Sequence, residues 1–81
     1  MRLPRDLSGQ DLAKLLVKLG YQVKRHTGSH MRLSTTQQGE HHITIPNHAS
    51  LRVGTLAAIL SEVSGHFIIS REDLIRKLFQ K

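Results

Sequence analysis

A chain of 81 residues makes one domain, and its 24 Leu, Ile, Val and Phe residues suffice for a small core but not a large one. Twelve Lys and Arg against six Asp and Glu leave a formal charge of +6, which points to a polyanionic partner, nucleic acid before an acidic protein. The chain has no cysteine, which excludes disulfides and thiolate zinc sites, and no apolar run reaches the roughly 18–20 residues of a membrane span.

The segment from Met1 to Asp6 also lacks the apolar stretch of a signal peptide. A soluble, cytoplasmic protein is expected, with no membrane attachment. The elements follow in order. Ser8-Gly9-Gln10-Asp11 pairs an N-cap serine with a carboxylate three residues on. Leu12, Leu15, Leu16 and Leu19 then form one apolar stripe, and Gly20 stands where a left-handed cap would end the helix. The spacing predicts a first helix over about residues 8–19.

From Tyr21 the period changes to two. Tyr21 and Val23 alternate with Gln22 and Lys24, Met31 and Leu33 with His30 and Arg32, Ile43 and Ile45 with His42 and Thr44. Three short strands are predicted, connected at 26–29 and 34–40, in an antiparallel sheet covered on one face. The uncovered face collects Lys24, His30, Arg32, His42 and Thr44. Pro46 ends the third strand and Asn47 to Ser50 make a loop. Gly54-Thr55 opens a second helix with Leu56, Ile59, Leu60 and Val63 as its stripe, and Gly65 closes it. Ser70-Arg71-Glu72-Asp73 repeats the cap pattern before a short helix bearing Leu74, Ile75, Leu78 and Phe79. The order is α-β-β-β-α plus a terminal helix, an α+β fold in one domain over 1–81, with a core of about 8–66 and an extension over 67–81.

Five of the six histidines fall between positions 26 and 48. Three readings compete for them. The first is a solvated polar face. The second is a metal site built from His41, His42 and either His26 or His48, but adjacent strand residues point to opposite faces. No metal or other cofactor is expected. The third is acid–base cleavage of RNA, in which near-neutral imidazoles move protons while Lys24, Arg25 and Arg32 hold phosphate.

Val23 to His30, containing Gly28-Ser29-His30, resembles the Gly-Ser-His signature of the HicA (YcfA-like) toxins. Ile43-Thr44-Ile45-Pro46-Asn47-His48 is similar to that family's strand ending in Pro-x-His, and Gly54 to Leu60 to its Gly-Thr-Leu-x-x-Ile-Leu helix. The resemblance implies a fold like the double-stranded-RNA-binding domain, with two helices on one face of the sheet. It implies an mRNA endoribonuclease, independent of metal, neutralised by a HicB-type antitoxin, with His30 catalytic. Gly28 would allow a tight turn of positive φ and close phosphate approach. Ser29 would cap that turn or bond phosphate.

Many members carry a second histidine directly after the first, whereas Met31 follows here, on the apolar phase of its strand. A hairpin register that sets His30 opposite Pro46, rather than Thr44, would bring His48 close as an auxiliary group. The segment from Phe67 to Ile69 is too apolar for a solvated linker, so 67–81 is expected to dock on its own core, a second copy in a homodimer, or the antitoxin. Arg2, Arg5, Arg76, Lys77 and Lys81 read as solvated charges. The competing function is a non-catalytic RNA-binding module.

Overall fold

The computed structural model describes Leu3 and residues 6–79; Arg2, Arg5 and Lys81 lie outside the described residues. Helix α1 (Gly9–Leu16) begins where the Ser8 hydroxyl accepts the Asp11 amide at 2.9 Å, and passes into a 3-10 turn (Val17–Leu19). Gly20, at φ 85°, ends it in the left-handed conformation its position in the sequence predicts. Strands β1 (Gln22–His26), β2 (His30–Thr35) and β3 (His41–Pro46) form an antiparallel sheet in the order β1-β2-β3. Helices α2 (Val53–Phe67) and α3 (Arg71–Phe79) complete the chain. The arrangement is the α+β, α-β-β-β-α order read from the sequence, with the extra helix after it.

One sheet face is dry. Met31, Leu33, Ile43 and Ile45 bury against Leu12 and Leu16 of α1 and Leu56, Leu60 and Val63 of α2. The other face bears His30, Arg32, His42 and Thr44, all exposed, because strand side chains alternate. Strand β1 departs from this alternation. Every one of its residues is exposed, Val23 at 45 %, and the apolar face expected there is left to Tyr21, which lies buried just before the strand. The physical reason is a bulge at Lys24, between the pairs Val23–Leu33 and Arg25–Arg32, which turns Arg25 off the apolar face. Strand β2 also runs two residues beyond Leu33, into the expected connection.

Helix α2 does not stop at Gly65 but continues to Phe67. Burial of Phe67 against Tyr21 (centroids 6.2 Å apart) holds the last turn, and Ile68 takes the left-handed cap at φ 56°, its side chain 86 % exposed. Of the apolar trio, then, Ile68 does not dock. Helix α3 does, on the chain's own core: Leu74, Ile75 and Leu78 are buried, and Lys18 Nζ donates to the Leu78 carbonyl at 3.2 Å. Its start is capped as read, the Asp73 amide donating to Ser70 Oγ at 3.0 Å. Arg76 pairs with Asp73 and lowers that carboxyl's pKa.

The opposite end of the sheet from the β1–β2 turn is closed by aromatic rings. Tyr21 Oη and His41 Nδ1 share a hydrogen bond of 2.7 Å, and His41 stacks on His66 at 4.4 Å. His66 Nε2 lies 2.9 Å from the Gln37 carbonyl, which ties α2 to the β2–β3 turn. Burial, with help from Glu62, pushes the Tyr21 hydroxyl up to about 12. Burial and then His66 lower the pKa of His41, outweighing Glu62.

Two outcomes follow from this packing. A Cβ on Gly9 would collide with the Pro46 carbonyl, whereas one on Gly28 meets nothing within 4 Å. Gly9→Ala is expected to cost about 1–3 kcal/mol by overpacking, and Gly28→Ala to leave the urea midpoint within experimental error of wild type. Equal midpoints for all three proteins would refute the close approach. Folded His41 takes up a proton less readily than the unfolded chain, so its contribution to stability is complete above the ordinary imidazole value of 6.5 and is lost as pH falls below it. Urea unfolding between about pH 7.5 and 5 should therefore show a shallower decline for His41→Phe than for wild type; parallel declines would count against it.

Candidate nucleic-acid interface

The three-residue turn between β1 and β2 is built from its own side chains. The Thr27 amide donates to the His30 carbonyl at 2.8 Å, and Thr27 Oγ1 bonds both that carbonyl (3.1 Å) and the His30 amide (3.0 Å). This places His30 at the first position of β2, exposed on the open face. Ser29 Oγ lies 2.9 Å from His30 Nδ1. With Nδ1 so engaged, Nε2 is the ring nitrogen without a hydrogen bond among the described residues. Gly28 does not adopt the positive φ expected of it; among the described glycines that conformation belongs to Gly20 and Gly39. The Thr27 bonds close the turn without it.

The register sets His30 opposite Pro46. Of the two pairings open to the sequence, this is the one that leads toward His48, two residues on. The His48 side chain is exposed, and its carbonyl accepts the Gly9 amide at 3.0 Å. Among the described residues no hydrogen bond joins it to His30. The residue between, Asn47, was not singled out by sequence. Its amide donates to the Ser29 carbonyl at 2.9 Å, its Nδ2 to the Gly28 carbonyl at 3.3 Å, and Nδ2 also lies 3.2 Å from His26 Nε2. Asparagine after a strand-ending proline was the available signal, but its partners depend on the register.

The basic residues meet on the same face. Arg25 stands directly opposite Arg32, so both point to one side of the sheet. Without the bulge, alternation would set Arg25 beside Val23 on the helix face. Lys24 Nζ donates to Gln22 Oε1 at 3.0 Å, on the open side with Ser34, the cross-strand partner of Gln22. Like charges directly opposite cost about 0.2–1 kcal/mol, and the ion pairs among the described residues give Lys24, Arg25 and Arg32 no carboxylate. Glu40, the acidic group near this face, is engaged by His42 at 2.7 Å.

His41 and His42 go to opposite faces, the first bonded to Tyr21 and the second to Glu40, as strand alternation demands. His26 is drawn toward Asn47. The face can therefore present the free Nε2 of His30, beside three cations that have no carboxylate partner among the described residues, to an anionic strand.

No curated protein and no solved structure matches the chain. A family model does: residues 9–64 match the family described as the HicA toxin of bacterial toxin-antitoxin. With that match spanning most of the chain, and with the Gly28-Ser29-His30 turn, the Pro46-Asn47-His48 exit and the α2 motif inside it, the chain belongs to the HicA toxin family, whose members act with a cognate antitoxin.

Proposed function

We propose that this toxin is an endoribonuclease that cleaves mRNA without a metal ion, in the cytoplasm, and that His30 is its catalytic residue. The observation that carries the reading is the coincidence on one exposed face of a His30 ring with one nitrogen held by Ser29 and the other open, and of Lys24, Arg25 and Arg32 without counter-charges among the described residues.

The chemistry needs little more. A base removes the proton of a ribose 2′-OH, the 2′-oxygen bonds to phosphorus, and the bond to the 5′-oxygen breaks as an acid protonates it. His30 Nε2 is suited to either proton transfer, because a ring whose Nδ1 is hydrogen-bonded to a hydroxyl keeps its orientation in both protonation states. The guanidinium groups of Arg25 and Arg32, with Lys24, hold the phosphate and offset the negative charge that grows on its oxygens. Gly28 and Ser29 line the approach. His48, beyond Pro46, is the candidate for the second proton-transfer group. A HicB-type antitoxin would neutralise the toxin by covering this basic face, which a negatively charged surface complements.

Long single-stranded RNA incubated with purified protein in excess EDTA should be cut by wild type. His30→Ala should lose at least about 100-fold in rate while binding RNA as well as wild type does. Binding without scission by either protein would replace this reading with a non-catalytic RNA-binding module. Arg32→Ala should flatten the log–log dependence of RNA affinity on salt by about 0.7, the share of one phosphate contact on a single strand, and Lys24→Ala should do the same. Unchanged slopes would remove both from the phosphate site.

A further inference from the structure

Asn47 is held by the protein at both ends of its side-chain amide. Besides its contacts to Ser29, Gly28 and His26, its Oδ1 accepts Gln10 Nε2 at 3.3 Å, from the first turn of α1. Three of these four contacts end on the segment that delivers His30. Strand pairing holds its two ends, His26 to Met31 and His30 to Pro46, but among the described residues no other hydrogen bond reaches the turn itself from outside. Residues 22–30 are all exposed, so no apolar side chain anchors the turn in the core, and Gly28 has open space around it. A turn without buried contacts opens at low cost unless hydrogen bonds restrain it. Thr27 closes the turn internally, and the restraints that tie it to the rest of the fold come from one side chain and its own backbone amide, set between α1 and the exit of β3.

We infer that Asn47 is a positioning residue: it locks the 27–29 turn against the end of β3 and thereby fixes the place of the His30 ring over the basic face. The catalytic consequence rests on the endoribonuclease reading; the lock itself rests on the hydrogen bonds. With both Nδ2 donors and its backbone amide directed to the turn, Asn47 acts through His30 rather than on the RNA. The contact with His26 also has a sense. When Nδ2 donates to His26 Nε2, the His26 proton sits on Nδ1, so the lock holds that ring in one tautomer. A displacement of about 1 Å in a group that moves a proton costs on the order of 100-fold in rate, so a loosened turn is read out in turnover.

The test compares wild type with Asn47→Leu, which keeps the bulk and the charge and removes the side-chain hydrogen bonds, and with Asn47→Ser, a smaller polar change that removes the Nδ2 bonds to Gly28 and His26. Amide hydrogen exchange at Thr27 and His30 is measured alongside kcat, KM and RNA binding. Asn47→Leu should speed exchange at these two amides about tenfold or more and lower kcat about 10- to 100-fold. KM and the RNA Kd should stay within about twofold of wild type, since no RNA contact is lost. Unchanged exchange overturns the lock, and a raised KM at constant kcat makes Asn47 an RNA contact instead. If Asn47→Leu does not fold, Asn47→Ser decides. A severalfold drop in kcat with faster exchange supports the lock, and wild-type values for both overturn it. Failure of wild type to cut RNA would sink the ribonuclease reading, and exchange would still decide for or against the lock.

Discussion

Gly9 has no side chain, and the Pro46 carbonyl occupies the space a Cβ would need. This single approach lets the first turn of α1 sit against the exit of β3, where the Gly9 amide meets the His48 carbonyl and Gln10 reaches Asn47. Asn47 in turn meets the β1–β2 turn. The β1–β2 turn, which carries no buried side chain, is thus tied to the helix layer through backbone and amide groups. An added methyl at position 9 acts on the open face without touching it.

The sheet divides labour between its faces. Its dry side contributes Met31, Leu33, Ile43 and Ile45 to the core, which leaves the other side free of any packing duty. A small domain buries a modest share of its surface, so an uncovered sheet face is a large fraction of what it can offer a partner. That face holds cations opposite one another at a cost to folding. A toxin whose partners include an antitoxin has a use for a surface that gains by being covered.

Much of this was legible in the sequence, for identifiable reasons. The leucine stripe from Leu12 to Leu19 with Gly20 after it, the two-residue period of Met31–Leu33 and Ile43–Ile45, and the serine caps are local signals, and local physics decided them. Met31 falls in the core as its phase requires. The failures are places where tertiary contacts overrode a local cue. Gly65 offered a helix stop, but Phe67 gained more by packing on Tyr21, and the cap passed to Ile68 despite its branched side chain. Gly28 suggested a left-handed turn, but Thr27 closed it by other bonds. Nothing in Val23-Lys24-Arg25 announces a bulge, and the partners of Asn47 exist only once register and helix position are both set.

The bulge at Lys24 has an effect on solubility as well as on charge placement. Strand β1 is an outer edge of the sheet, and an outer edge with a regular row of free amides and carbonyls is a template for another chain's strand. A bulge breaks that row, and the adjoining Lys24 and Arg25 would have to be crowded against whatever added itself there. Continuation of the sheet from one copy into the next is thus discouraged at β1. The same irregularity that turns Arg25 outward guards this edge of a basic protein against strand-by-strand association.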